Sequence, residues 1–196
     1  MLLKLILFLA SYLLGSISSA IIVSKIMRFP DPRGQGSHNP GATNVLRIAG
    51  KKAAFITLVG DILKGLVPVL VAKFLGFSMF ISIVAGMAAF IGHVYPVFFK
   101  FKGGKGVATF FGILFGVVPV VGFLSSLTWL IMAKIIKVSS LSALVTAFLT
   151  PFYFYFYTYD VNASIVLTII CIVIFITHRA NIKRILAKEE DKINSR

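Results

Sequence analysis

Runs of about twenty apolar residues recur along this chain and limit its fold more than any other feature. A bilayer core offers no water to the backbone, so a segment spanning it must satisfy its own N–H and C=O groups. For roughly 30 Å of hydrocarbon this means a helix of about 20 residues. Such runs occupy residues 2–27, 53–75, 79–99, 139–157 and 161–177, with a longer one at 107–136. The chain is 58% hydrophobic and only 13% charged, where soluble domains carry about 25% charged residues. The expected fold is all-α, a polytopic membrane helix bundle forming a single domain over residues 1–196. The N-terminus imitates a signal peptide, with Lys4, an apolar stretch and the small residues Ser18, Ser19 and Ala20. Apolar character continues through Ile21, Ile22 and Val23, past a typical signal core, so a retained first helix is expected.

Charge decides the number of spans. The net charge is +14, from 20 Lys/Arg against 6 Asp/Glu. In a soluble protein this would suggest nucleic acid; here basic loops set topology and attract anionic lipid or an anionic substrate. Lys and Arg cluster at residues 28–52, 100–106, 134–138 and 178–196. One helix over 107–136 gives six spans and places the last two clusters opposite the first two. Division near Gly116, Val117, Val118 and Pro119 gives seven and gathers all four clusters on the cytoplasmic side, with the N-terminus outside and the C-terminus inside. Seven spans are therefore expected, with six as the fallback. Gly112 and Gly116 form a pair of small residues suited to close helix packing. Cys171 lies alone in an apolar run and is expected to serve packing.

Three polar segments and one embedded pair carry the chemistry. SHNPGATNVLR, Ser37 to Arg47, contains a turn at Asn39, Pro40 and Gly41. Thr43 or Asn44 is placed to cap a short helix with Val45, Leu46, Ile48 and Ala49 on one face. Asn44 and Arg47 share another face, and a helix start near Thr, Asn and Arg suits an oxyanion; a well-capped solvated loop is the plainer reading. FKGGKG, Phe101 to Gly106, surrounds Lys105 with Gly103, Gly104 and Gly106, which allow close backbone approach to an anion; a flexible basic turn would look the same. It lacks the spacing of a nucleotide-binding P-loop. THRANIKRILAKEE, Thr177 to Glu190, places His178 and Asn181 on one side of a continuing helix. Asp61 sits about eight residues into its span, roughly 12 Å deep at 1.5 Å per residue, with Lys64 at i+3 as a partner. Ionisable residues at such depth are functional candidates, although a structural ion pair reads equally well. His93 and Pro96 lie near the inner end of the third run, where packing and a kink are the plain readings.

Some chemistry is excluded. No His is followed five positions later by Asp, there is no GxSxG, and no acidic cluster suits Mg²⁺ or Ca²⁺. Neither a metal nor a cofactor is expected. An enzyme with this inventory must hold anionic substrates with Arg, Lys, His, Ser, Asn and backbone N–H groups.

The stretches GSISSA, SHNPGATNVLR with GKK, DILKG, GHVYPVFFKFKGGKG and HRANIKR, in this order, closely resemble the PlsY family of bacterial acyl-phosphate:glycerol-3-phosphate acyltransferases. The resemblance covers nearly the whole chain. It implies transfer of an acyl group from acyl phosphate to the sn-1 hydroxyl of glycerol-3-phosphate, giving 1-acyl-glycerol-3-phosphate and phosphate at the cytoplasmic face of the bacterial inner membrane. It implies Ser37 and Arg47 as essential residues of the first loop, His178 and Asn181 of the last, and the Gly103–Gly106 loop as the glycerol-3-phosphate site. Thr43 and Asn44 fall beside them as substrate ligands. Asn39, Asp61, Lys64 and His93 are expected in support, together with Glu190, which aligns with a supporting glutamate of the family. Lys188 departs from the pattern, standing where a glycine is usual two residues before that glutamate. Membrane lipids and a soluble enzyme that forms the acyl phosphate are the implied partners; nucleic acid is not. A transporter of phosphorylated or other small anions is the alternative, but it favours repeats and polar residues at mid-membrane, where only Asp61 and Lys64 qualify. A non-catalytic lipid-binding protein would not need Ser, Arg, His and Asn together.

Overall fold

The computed structural model describes residues 1–193. Among these residues the secondary structure is helical, without strands. The first apolar run is two helices, α1 (Leu2–Ser16) and α2 (Ser19–Met27), bent by 41°. The single first helix read from hydropathy is corrected here, and GSISSA supplies the reason. The Ser16 hydroxyl donates back to the Tyr12 carbonyl at 2.9 Å, an alternative partner of the kind that weakens helix interiors. Ile17 and Ser18 then become extended. Gly15 lies so close to α4 that a Cβ would meet the Ala89 carbonyl oxygen at 2.0 Å.

Helix α3 (Ala42–Phe74) is interrupted at Gly50, whose φ of 78° and ψ of −175° are not helical. Nothing lies near a Cβ built there, so backbone conformation and not space calls for glycine. The break separates a short segment, residues 42–49, from the long helix that carries Asp61 and Lys64. Neither Thr43 nor Asn44 is the cap expected of them: the N-cap is Gly41, in extended conformation, because the Asn44 amide is engaged elsewhere. Helix α4 (Met79–Val94) starts at Ser78, whose hydroxyl accepts from the Ile81 N–H. Pro96 does not kink α4; the helix ends before it, and a 3-10 turn follows at Val97–Phe99.

The run 107–136 is divided, as the charge distribution requires, into α5 (Val107–Val117) and α6 (Pro119–Ile136). Val118 is extended and Pro119 opens α6, the position where its missing N–H is harmless. Helix α7 (Ser139–Thr158) is followed by α8 (Val161–Thr177), capped by Asp160 through Ala163 N–H at 2.9 Å. The last helix does not run straight on. It bends by 58° at His178 into α9 (Arg179–Leu186).

Among the described residues, four helices are individually long and apolar enough to cross a bilayer, and up to six spans result when each bent pair counts as one. With 11 residues, α5 is about 16 Å long, too short to cross alone. Length and composition therefore give four to six spans.

Helix α5 is the buried element. Phe110, Ile113 and Leu114 are wholly enclosed, in one apolar cluster with Val69, Ile83, Phe90, Phe154 and Leu167. Glycines bring its backbone against α3: a Cβ on Gly112 would meet the Ile62 carbonyl oxygen at 2.0 Å, and one on Gly65 the Thr109 carbonyl oxygen at 2.0 Å. Lipid is as apolar as leucine, so close packing of small residues carries much of helix association in membranes. The outer faces keep large apolar side chains exposed, such as Leu5 and Leu9 of α1 and Phe123, Leu127 and Ile131 of α6. Because successive long helices alternate in direction, the starts of α3, α5 and α7 and the end of α8 share one end of the bundle. All three polar segments meet there.

Candidate functional site

At that end a cavity of about 770 Å³ opens between α3, α5, α6 and α7. Its mouth is polar, lined by Ser37, Thr43, Arg47, Lys105, His178 and Asn181; deeper in, Leu58, Ile62, Phe111, Phe115 and Trp129 line it. Asn39, Asn44, Gly106, Asp61, His93 and Glu190 border it too. Segments more than a hundred residues apart thus converge, while Gly103 and Gly104 fall outside the lining and turn toward α4.

The first loop is shaped by Asn44. Buried, its side chain accepts from the Ser37 N–H at 2.9 Å and donates to the carbonyls of Pro32 at 2.9 Å and Gln35 at 3.0 Å. The amide is consumed in folding the loop onto the helix start, which presents Ser37 and Arg47 to the cavity. One turn on, the Arg47 guanidinium lies 3.6 Å from Asp191 at the chain's end. Thr43 faces α7, its hydroxyl 3.3 Å from that of Ser139.

Across the mouth, one network joins the Gly-rich loop to the last segment. Lys105 Nζ donates to Asn181 Oδ1 at 2.6 Å, and the Asn181 amide donates to Glu190 Oε1. The same carboxylate accepts from Ser140 Oγ at 2.7 Å and from Arg184 Nε at 2.6 Å. Burial would raise the Glu190 pKa, but the hydrogen bonds from Asn181, Ser140 and Arg184 outweigh it and hold the group below the ordinary glutamate value. Lys105 is pushed down to about 8, by burial first and then by Arg184 and Arg47, against the attraction of Glu190. The Thr177 hydroxyl lies between the carbonyls of Ile174 at 2.9 Å and Lys105 at 3.2 Å and shares its one proton between them, so the loop's backbone rests against the end of α8.

His178 sits at the bend between α8 and α9. Its Nδ1 is 2.8 Å from the Ile174 carbonyl oxygen. A carbonyl only accepts, so Nδ1 carries the proton and Nε2 keeps its lone pair. Burial, then the Lys105 charge, lowers its pKa to about 4. His178 is therefore a neutral imidazole beside the Lys105 ammonium.

Sequence reading missed Ser139, Ser140, Arg184 and Asp191. The Ser pair follows Lys137 at a helix start, where the basic loop was weighed only for topology. Arg184 and Asp191 offered no periodic signal, because their contacts depend on how residues 187–193 fold back. That return has a cost: Lys188 adopts φ 61°, a left-handed conformation natural to glycine. The departure from the family pattern thus falls where backbone geometry favours glycine, and Glu190 reaches the network nonetheless.

Chemically, the mouth presents a guanidinium, an ammonium, a neutral imidazole and hydroxyls to an anionic head, above an apolar chamber suited to a long chain. Residues 5–188 match the family model "Glycerol-3-phosphate acyltransferase". The chain is 55% identical over 193 residues to the glycerol-3-phosphate acyltransferase of Ruthia magnifica subsp. Calyptogena magnifica, covering 98% of each. It is 50% identical over 184 residues to that of Hydrogenovibrio crunogenus, covering 93% of this chain and 88% of the other. Among solved structures it resembles the integral membrane glycerol 3-phosphate acyltransferase PlsY in its glycerol 3-phosphate form, with TM-score 0.92, 38% identity and coverage of 96% and 94%. The lysophosphatidic acid form of PlsY aligns with TM-score 0.89 and 37% identity, over the same shares. The chain belongs to the glycerol-3-phosphate acyltransferase family of integral membrane proteins.

Proposed function

We propose that this protein transfers an acyl group from acyl phosphate to the sn-1 hydroxyl of glycerol-3-phosphate, releasing phosphate and 1-acyl-glycerol-3-phosphate. The observation that carries the reading is the single cavity in which Arg47, Lys105, His178 and Asn181 surround a polar mouth above an apolar chamber. Two phosphorylated substrates call for two cationic groups, and a fatty acyl chain calls for the chamber. Arg47 and Lys105 hold phosphate, and Ser37 and Thr43 add hydroxyl contacts. His178 and Asn181 orient the reacting groups.

The glycerol hydroxyl oxygen attacks the acyl carbonyl carbon; the C–O bond to phosphate then breaks and phosphate departs with the electron pair. An acyl phosphate is a mixed anhydride with a good leaving group, so positioning and charge stabilisation supply most of the rate. The hydroxyl proton goes to the acyl phosphate's own phosphate oxygen. A histidine held near pKa 4 is a weak base, and a bound phosphate raises that value toward a cationic ligand.

The enzyme works in the bacterial inner membrane with its mouth cytoplasmic. In this reading α5 and α6 are the two limbs of a pair that brings the number of spans to seven, with the N-terminus outside. Gathering of the basic loops at one end of the bundle supports this orientation. A soluble enzyme that forms acyl phosphate delivers the donor.

The test is direct. Purified protein given acyl phosphate and glycerol-3-phosphate should release phosphate and form lysophosphatidic acid. Reaction with another acyl donor only would replace the donor assignment. Glycerol-3-phosphate crossing a proteoliposome membrane without acylation would instead favour the transporter.

A further inference from the structure

Asp61, Lys64 and His93 form a buried polar cluster that the chemistry above leaves unused. They are 2%, 5% and 8% exposed, the ionisable side chains buried within α3 and α4. Lys64 Nζ pairs with Asp61 Oδ1 at 2.7 Å, which offsets the cost of burying either charge. The pair needs no histidine for that. Yet Lys64 Nζ also lies 3.4 Å from His93 Nδ1. An ammonium only donates, so Nδ1 is the acceptor and the ring proton sits on Nε2. Asp61 Oδ1, at 3.7 Å from Nδ1, is beyond hydrogen-bond reach.

The far edge of this ring bears on the Gly-rich loop. A Cβ on Gly104 would meet His93 Nε2 at 2.3 Å and Cε1 at 2.9 Å; one on Gly103 would meet the His93 carbonyl oxygen at 2.0 Å. The same carbonyl accepts the Gly104 N–H at 3.1 Å. One residue therefore seats two consecutive glycines, through its ring and its backbone. The next residue is Lys105, whose ammonium reaches Asn181 at 2.6 Å.

We propose that Asp61, Lys64 and His93 are positioning residues: the ion pair fixes the His93 ring, the ring seats Gly103 and Gly104, and the seated loop delivers Lys105 to the cavity mouth. The proposal rests on the reading of Lys105 as a phosphate ligand. It assigns the glycines a role different from ligand approach, namely contact with α4.

A double-mutant cycle tests the seat. Gly104→Ala should raise KM for glycerol-3-phosphate at least tenfold, because the methyl drives the loop off the ring. In a His93→Ala background the same methyl has room, and its additional effect should fall below threefold. Replacing both charges, Asp61→Leu with Lys64→Met, should raise the same KM while KM for acyl phosphate stays within twofold. A merely structural cluster would lower the yield of active enzyme and leave both KM values alone. Additive effects in the cycle, or equal shifts in both KM values, overturn the proposal.

Histidine ¹⁵N spectra of the wild-type protein give a reading that needs no His93 variant to fold. His93 should show an unprotonated Nδ1 and His178 the opposite tautomer, assigned with His38→Gln and His178→Gln. A proton on His93 Nδ1 breaks the link to Lys64. Lys105→Ala separates the two claims: unchanged affinity for glycerol-3-phosphate sinks the ligand role of Lys105, whereas the cycle reports on the seat alone.

Discussion

Arg47 and Lys105 enter the same mouth, but their cations differ in kind. A guanidinium stays charged and offers a planar fork, whereas an ammonium is a point charge that burial can discharge. Arg47→Lys should therefore lose at least about tenfold in kcat/KM, roughly 1.4 kcal/mol of transition-state binding, with unchanged thermal stability. Near-normal activity in that variant would remove Arg47 from the phosphate site. Lys105, lowered to about 8, loses its proton as pH rises through that value, and its attraction for phosphate goes with it. The KM for glycerol-3-phosphate should rise above pH 8, and Lys105→Arg should abolish that limb. The same shift bears on stability with a definite sign: between about 8 and the ordinary 10.5 the unfolded chain binds the extra proton, so Lys105 makes stability rise with pH there. For His178 the matching window runs from about 4 to 6.5, and acidification through it destabilises the fold. On the proposed substrate assistance, an acidic limb in kcat persists in His178→Gln. Its disappearance, leaving a flat residual rate, would make His178 the base.

At the scale of elements, the segment after α9 holds the mouth together. Glu190 accepts from Ser140, Asn181 and Arg184, tying α7 and α9 to each other and, through Asn181, to Lys105. Hydrogen bonds to a charged group contribute about 1.5–3 kcal/mol. Glu190→Ala should lower stability by that order and reduce activity through a misplaced Asn181, read by thermal unfolding and turnover together. Lys188→Gly is the informative contrast. A left-handed conformation costs a residue with a Cβ about 1–2 kcal/mol, and glycine avoids that at about 0.5–1 kcal/mol of extra chain entropy, so Tm should hold or rise with full activity. A fall in Tm would show that the Lys188 side chain itself matters. Bends at Gly50 and His178 play a related part, since each turns a segment that carries site residues across the end of a span.

For the whole molecule, the proposed function makes the depth of the chamber the selector of acyl chains. Phe115 lies two turns below Val107, about 12 Å down α5 at 1.5 Å per residue, and with Trp129 it lines the apolar part. Phe115→Ala should move the preferred donor toward longer chains, measured as kcat/KM across a series of acyl phosphates. An unchanged profile would place the acyl chain elsewhere. Orientation is tested by single cysteines in the loops at residues 28–41, 100–106 and 137–138 and in the tail, in a Cys171→Ser background. All should react only from the cytoplasmic side, and external labelling of the tail would overturn the seven-span topology.

Much was legible in the sequence because it depends on local chemistry. Apolar runs mark membrane helices whatever their neighbours, and Pro119 with its flanking residues marks a division that charge asymmetry demands. Ser37, Arg47, Lys105, His178 and Asn181 stood out because strongly polar groups in an apolar chain need a reason. What hydropathy could not show were the bends at Ser18 and His178, since a broken helix and a straight one bury the same apolar residues. Nor could it assign partners. Whether Asn44 caps a helix or clasps a loop, and whether Gly104 faces a ligand or the His93 ring, depends on which backbone lies within a few ångströms. Only the tertiary structure decides that, because in lipid the close approach of helices is selected by shape and hydrogen-bond satisfaction, not by hydrophobicity common to every face.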